Sequence, residues 1–120
     1  MSDDRPTLKD LMKMLFIKKV GTEGLLEQMI EESSELIKAV SKYERICKSY
    51  QPTELHEDAA REDIVEEIAD IELVIEEYLD LLEKNGDIKV RKRIETIQKY
   101  KMLRAVKRFA ERDINDQMES

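Results

Sequence analysis

Two pairs of acidic residues carry the side chains in this sequence that are best suited to hold a divalent cation. Glu32 and Glu35 form one pair, Glu67 and Asp70 form the other, and each pair lies in a strongly helical segment. Residues three apart are neighbours on one face of a helix, so each pair presents two adjacent carboxylates. A site built from carboxylate oxygens alone favours hard cations such as Mg²⁺ or Mn²⁺ over zinc. The spacing therefore predicts two halves of a metal site on two helices.

The apolar residues around these acids recur at alternating intervals of four and three residues, which is typical of an amphipathic helix. Glu32 and Glu67 each occupy a position on such an apolar stripe, where a charge is costly unless it is paired, protonated or bound to a cation. The alternative is an ordinary solvated acidic face, which is common in a chain with 41% charged residues. The inward positions favour the metal site. The apolar neighbours along the two stripes are Met29, Leu36, Ile64 and Ile71.

The composition predicts a single all-helical domain over residues 1–120, with frayed termini at 1–6 and 114–120. Charged residues make up 41% of the 120 residues and aromatic residues only 5%, a profile that favours helices over sheets. The single cysteine, Cys47, cannot form an internal disulfide, which is typical of a reducing compartment. No segment is apolar over the length needed to span a bilayer. We therefore expect a cytoplasmic protein that does not bind membranes.

Helix start and stop signals divide the chain into an all-α fold of about four helices. Gly21 ends the first helix and Gly86 the third, while Pro52 separates the second from the third. Such short connections predict an antiparallel bundle. A second apolar stripe on the second helix includes Cys47, whose thiol we expect in the core, and this width of apolar surface predicts that oligomerisation completes the fold. The predicted helices cover residues 7–19, 22–49, 53–84 and 87–112, with 58 as the alternative start of the third.

Charge is unevenly distributed along the chain. Residues 1–87 contain 11 basic and 23 acidic side chains, whereas residues 88–120 contain 10 and 5. The acidic body argues against a nucleic-acid partner. In the last helix an apolar stripe becomes basic at Lys101, Arg104 and Arg108. These long side chains could simply cover apolar surface, but beside a metal site contacts with phosphate oxygens become the better explanation.

Several other catalytic chemistries find no support in the sequence. It contains no glycine-rich phosphate loop, no nucleophile elbow and no arrangement of cysteine with histidine. The one histidine, His56, lies eleven residues before Glu67, too far to form the Glu-x-x-His motif of di-iron bundles. Redox chemistry at a di-iron centre is therefore disfavoured.

The segments Glu31–Val40 (EESSELIKAV) and Val65–Ile71 (VEEIADI) resemble the signature of the all-α nucleoside triphosphate pyrophosphohydrolase superfamily, and within it the MazG-like proteins. The resemblance covers roughly residues 24–110. It implies an all-α bundle that hydrolyses the bond between the α- and β-phosphates of a nucleoside triphosphate, giving a monophosphate and pyrophosphate. It also implies a homodimer or homotetramer. One departure is the gap of 31 residues between Glu35 and Glu67, which is longer than is usual in the family.

The resemblance also suggests roles for individual residues. Glu32, Glu35, Glu67 and Asp70 would ligate Mg²⁺, with Mn²⁺ as a substitute, and Lys101, Arg104 and Arg108 would contact the phosphate chain. Beside them, Glu31 could be the general base, a partner of a metal ligand or a solvated acid, and Gln28 could face either the substrate or water. The alternatives for function are hydrolysis of phosphoribosyl-ATP and a catalytically silent helical interaction module.

Overall fold

The computed structural model describes residues 4–49 and 53–119, and in these ranges the chain is helical with no strand. Its helices are α1 (Leu8–Cys47), α2 (Glu54–Lys84) and α3 (Val90–Glu119). The predicted all-α fold is confirmed, and a break within α1 accounts for the four helical segments expected from the sequence. The predicted break at Pro52 lies outside the described residues. None of the described helices is long and apolar enough to cross a membrane.

The first helix begins with a capping box. Thr7 Oγ1 accepts a hydrogen bond from the Asp10 amide at 3.2 Å, and Asp10 Oδ2 accepts one from the Thr7 amide at 3.0 Å. This arrangement satisfies two backbone donors that a helix start would leave unpaired. Asp10 also places a negative charge in the first turn, where the helix dipole favours it. The helix therefore begins at Leu8, directly after the threonine expected to cap it.

Gly21 divides α1 into two helices that meet at a kink. Its φ of 70° and ψ of −176° fall in a region of backbone space that is essentially restricted to glycine. The break therefore lies where the sequence predicted the first helix to end, between residues 7–19 and 22–49. A Cβ atom added at Gly21 would meet nothing within 4 Å. Glycine is required here by backbone conformation alone.

The part of α1 after Gly21 lies antiparallel to α2. Lys42, late in α1, approaches Asp63, early in α2, at 3.9 Å, and Glu32, earlier in α1, lies beside Glu67, further along α2.

The part of α1 before Gly21 turns back along α2. Lys9 meets Glu76 at 3.2 Å, although a straight α1 would carry Lys9 about 50 Å from Lys42, and Asp63 and Glu76 are only about 20 Å apart along α2. The apolar stripes form the least exposed faces of both helices. Their most buried members are Leu25 on α1 and Ala60, Val74 and Leu81 on α2.

The second apolar stripe of α1 is exposed in the chain. Cys47, which the sequence placed in the core, has an exposed thiol, so that expectation is wrong. Periodicity identifies an apolar face, but a face is buried only where another element packs against it. The other exposed members of this stripe are Leu26, Ile30, Ile37 and Val40.

A tight connection joins α2 to α3. Gly86 has a φ of 108°, and Asp87 accepts two hydrogen bonds of 2.6 Å from the Arg93 guanidinium. These bonds hold the pKa of Asp87 below its ordinary value. The helix α3 then runs to Glu119, past the predicted end near 112 and through residues expected to be frayed, because no glycine or proline interrupts it.

The chain divides into two compact units, one ending at Leu81 and the other beginning at Leu82. The first unit contains α1 and most of α2, and the second contains the end of α2 together with α3. A single domain over residues 1–120 therefore stays a prediction.

Replacing Gly21 with alanine tests the origin of the kink. We expect Gly21→Ala to lower the free energy of unfolding by about 1–3 kcal/mol, because an alanine at this φ and ψ is strained even though its side chain has room. Urea unfolding followed by circular dichroism measures the change. Gln98→Ala, an exposed helical control on α3, should stay within about 0.5 kcal/mol of the unmodified protein. Equal stability of all three proteins would contradict the assignment.

Candidate metal centre

Three of the acidic residues singled out by their spacing meet between the first two helices. Glu32 comes from α1, Glu67 and Asp70 come from α2, and one carboxylate oxygen of each lies within 4.8 Å of the others. Because the two helices run antiparallel, the part of α1 that contains Glu32 lies beside the part of α2 that contains Glu67 and Asp70. The stripe periodicity then turns Glu32 and Glu67 towards the contact between the helices, and Asp70 follows one turn along α2.

Partial burial and mutual repulsion perturb these carboxylates. Glu32 and Glu67 are half-buried, whereas Asp70 is exposed. Desolvation raises the pKa of Glu32, and the negative charges of Asp70 and Glu67 raise it further. The pKa of Glu67 is likewise raised by desolvation and then by the charges of Asp70 and Glu35. Both pKa shifts have the same cause, because several negative charges share a site that water only partly solvates.

Glu35 lies beside this group but does not converge with it. Its Oε1 atom accepts a hydrogen bond from Lys38 Nζ at 3.3 Å, and the Glu35 side chain is 45% exposed. Its charge nevertheless contributes to the raised pKa of Glu67. The structure therefore brings together three of the four predicted ligands, with the fourth ion-paired one turn away. Lys38 was missed in the sequence analysis, although its three-residue spacing from Glu35 is itself a sign of such a pair.

The two further residues proposed beside the carboxylates differ in exposure. Glu31 is exposed on α1, outside the converging group, and its charge adds to the raised pKa of Glu32. Gln28 is half-buried one turn before Glu32. Glu31 is thus electrostatically coupled to the group, while Gln28 is the only uncharged member of the predicted site.

The predicted basic residues lie together on α3. Lys101, Arg104 and Arg108 line one shallow hollow of about 240 Å³ with Ala105, and all three are exposed. The Arg104 guanidinium stands 6.0 Å from the centre of the Tyr100 ring. These cations form a continuous basic surface in the unit that begins at Leu82, while the carboxylates belong to the first unit.

A second basic hollow was not recognised in the sequence. It measures about 400 Å³ near the start of α3. The signal for it was present as a run of basic residues after Asp87, but Arg93 in this run is already bound to Asp87. The hollow is lined by Lys89, Lys92, Arg93, Thr96 and Ile97.

The donor set of the carboxylate group suits a hard divalent cation. It consists of oxygen atoms alone, and it joins two helices at half-buried positions. A bound Mg²⁺ or Mn²⁺ would neutralise the repulsion that raises the pKa values of Glu32 and Glu67. Glu35 could join as a further ligand by exchanging its ion pair with Lys38 for the cation. The arrangement can therefore hold a divalent ion at a position open to solvent on the Asp70 side.

Comparison with known families agrees with this geometry. The model of the MazG nucleotide pyrophosphohydrolase domain matches residues 20–109, three quarters of the chain, and the matched region includes every residue proposed for the site. The resemblance to MazG-like proteins is therefore confirmed. No curated protein and no solved structure matches the chain significantly.

The raised pKa values predict how pH and Mg²⁺ affect stability. Because the pKa of Glu32 and of Glu67 is higher in the folded protein than in the unfolded chain, the folded state binds more protons. Their contribution to stability therefore falls as pH rises above the ordinary glutamate pKa of about 4.3. Mg²⁺ binds the deprotonated carboxylates, so its stabilising effect should be larger near pH 8 than near pH 5.

Thermal unfolding with and without Mg²⁺ at both pH values provides the measurement. The Glu32→Gln/Glu67→Gln double variant is the control, because it removes the two carboxylates while keeping side-chain size. Its stability relative to the unmodified protein should increase from pH 5 to pH 8 in the absence of metal, and it should lose most of the response to Mg²⁺. A metal response of equal size in both proteins would contradict the assignment.

Proposed function

This chain belongs to the MazG nucleotide pyrophosphohydrolase family, and on that premise we propose that it is a Mg²⁺-dependent nucleoside triphosphate pyrophosphohydrolase. The reaction is hydrolysis of the anhydride between the α- and β-phosphates, which gives a nucleoside monophosphate and pyrophosphate. The observation that carries the proposal is the convergence of Glu32, Glu67 and Asp70 within 4.8 Å. Convergence of three acids, of which Glu32 and Glu67 are half-buried, lowers stability, and perturbed acids of this kind are typical of functional sites.

In this mechanism the carboxylates hold the cation and fix its position between the helices. Glu32, Glu67 and Asp70 are the ligands supplied by the observed group, and Glu35 is the fourth. When bound, Mg²⁺ supplies Lewis acidity that polarises phosphate oxygens and makes a nearby water more acidic. The use of ligands from two helices makes the position of the cation depend on the packing of α1 against α2.

Glu31 is proposed to receive the proton of the attacking water. It is exposed on α1 directly before Glu32, and its charge contributes to the raised pKa of Glu32. Water attacks a phosphorus atom of the α–β bridge, the bond from that phosphorus to the bridging oxygen breaks, and the bridging oxygen leaves with the departing phosphate group. A positioned base contributes by orienting the water and accepting its proton as the new bond forms.

The substrate's phosphate chain is proposed to lie against Lys101, Arg104 and Arg108. Their common hollow on α3 offers two guanidinium forks and an ammonium group, which suit anionic phosphate oxygens. Gln28 is the candidate for an uncharged polar contact with the nucleotide. The protein is further proposed to act as a homodimer or homotetramer, a state supported by its exposed apolar surface.

A product-resolved assay tests the proposed reaction. Purified protein is incubated with individual NTPs and dNTPs and Mg²⁺, and pyrophosphate is distinguished from orthophosphate. We expect pyrophosphate and the matching monophosphate in equal amounts, with loss of both when EDTA is added. Orthophosphate as the first product would contradict cleavage between the α- and β-phosphates. Mg²⁺ binding without turnover of any triphosphate would favour phosphoribosyl-ATP, and absence of both would favour a silent helical module.

Glu67→Gln tests the ligand set directly. The variant should stay folded, because the substitution removes one charge from a group of mutually repelling carboxylates. Its Mg²⁺ affinity should fall at least about tenfold, and its rate of turnover should fall severely. Isothermal titration with Mg²⁺ or Mn²⁺ and the pyrophosphate assay give the two readouts. Glu66→Gln changes an exposed neighbour on α2 and should leave both nearly unchanged. Full activity of Glu67→Gln would exclude the proposed ligands.

A further inference from the structure

Lys38 is the basic side chain that the structure places against the candidate metal centre. Of the ion pairs in residues 4–49 and 53–119, the one between Lys38 and Glu35 is the only one that includes a predicted metal ligand. The next lysine along α1, Lys42, pairs instead with Asp63, an acid outside the predicted ligand set. The charge of Lys38 is therefore compensated by the centre itself.

The centre carries more negative than positive charge. Desolvation and four neighbouring carboxylates, Glu35 among them, raise the pKa of Glu32, whereas the Lys38 ammonium group lies 3.3 Å from Glu35 Oε1. A single ammonium group beside several carboxylates is an internal counter-ion, because it offsets part of the repulsion among them. Removal of this positive charge should therefore strengthen the attraction of the carboxylates for an added cation.

The ion pair of Lys38 can be exchanged at little cost. The Lys38 side chain is 72% exposed, the Glu35 side chain is 45% exposed, and the two residues are three apart on α1. Exposed pairs at this spacing contribute little free energy, because water solvates both partners. A divalent cation attracts a carboxylate more strongly than an ammonium group does, since its charge is twice as large. Glu35 can therefore exchange Lys38 for a cation held by the other carboxylates.

This exchange would leave the Lys38 ammonium group beside an added positive charge and without its carboxylate. Two cations that share a site repel each other, so the charge of Lys38 opposes binding of a metal ion on its own. An anion that binds together with the metal offsets this repulsion, and a phosphate group suits a lysine because the ammonium group is a compact point charge. Lys38 is exposed on α1, so a ligand that arrives from water can reach its ammonium group.

We propose that Lys38 couples metal binding to phosphate binding, by exchanging its ion pair with Glu35 for one with a phosphate group of the ligand when a cation binds. The proposal rests on the metal centre of the proposed function, and it does not depend on which bond of a nucleotide is hydrolysed. It also distinguishes Lys38 from the proposed metal ligands, since loss of a ligand weakens metal binding whereas loss of the Lys38 charge should strengthen it.

Titration with a metal and with an anion provides the test. Isothermal titration measures the dissociation constant of Mg²⁺ alone, and then that of inorganic pyrophosphate in buffer that already contains saturating Mg²⁺. Lys38→Met removes the charge and keeps a long unbranched side chain. We expect this variant to bind Mg²⁺ about three- to tenfold more tightly than the unmodified protein, and pyrophosphate about three- to tenfold more weakly.

Two control variants separate the charge of Lys38 from its place in the helix. Lys38→Arg keeps a positive charge that binds phosphate and should have both dissociation constants within about twofold of the unmodified protein. Lys48→Met removes a lysine that is also 72% exposed and also pairs with an acid of its own helix, Glu44. It should leave both constants nearly unchanged, because it lies about 15 Å further along α1 than Lys38, beyond the screening length in about 0.1 M salt. Circular dichroism verifies that each variant is folded.

Ionic strength gives a readout that a purely structural role of Lys38 would not change. The gain in Mg²⁺ affinity of Lys38→Met should shrink when KCl is raised from about 20 mM to about 500 mM, because salt screens the repulsion between the ammonium group and the metal. A gain of the same size at both salt concentrations would overturn the proposal. Equal or weaker Mg²⁺ binding by Lys38→Met, or unchanged pyrophosphate binding, would overturn it as well.

The outcomes separate this proposal from the proposed function. An unmodified protein that binds no Mg²⁺ would overturn both. Mg²⁺ binding together with pyrophosphate release from a triphosphate, but with no effect of Lys38→Met on either dissociation constant, would overturn the role of Lys38 alone. The expected opposite changes in a protein that releases no pyrophosphate from any triphosphate would support the role of Lys38 and count only against the proposed reaction.

Discussion

The antiparallel register of α1 and α2 is the constraint on which the rest of the first unit depends. Successive residues of a helix are separated by 100°, so a slip of one residue between the helices would turn Glu67 away from Glu32. The apolar stripes around Leu25 and Val74 set this register through burial. Ion pairs such as Lys42 with Asp63 are exposed, and pairs of that kind contribute little energy each. These ion pairs favour the antiparallel orientation of the two helices, whereas burial of the apolar stripes stabilises the contact between them.

The carboxylate group works against that contact. Glu32 and Glu67 occupy positions that an apolar residue would fill with a gain in stability, and the desolvation and repulsion that raise their pKa values act in the folded state. With a divalent cation bound, the carboxylates would stabilise the folded state instead of destabilising it, because each of them is attracted to the cation. If this group holds a cation as proposed, the helix pair should be tighter with metal than without it, because binding would depend on the packing that aligns the carboxylates.

Much of this arrangement could be predicted from sequence because it depends on helical periodicity. Spacing alone identified the stripe positions of Glu32 and Glu67, and Gly21 was recognised as the end of the first helix, where the structure has its break. The exposure of Cys47 could not be predicted, since periodicity identifies an apolar face without saying what packs on it. The ion pair of Glu35 with Lys38 was similarly hidden, because a carboxylate one turn from a candidate metal ligand can bind either a cation or the neighbouring ammonium group.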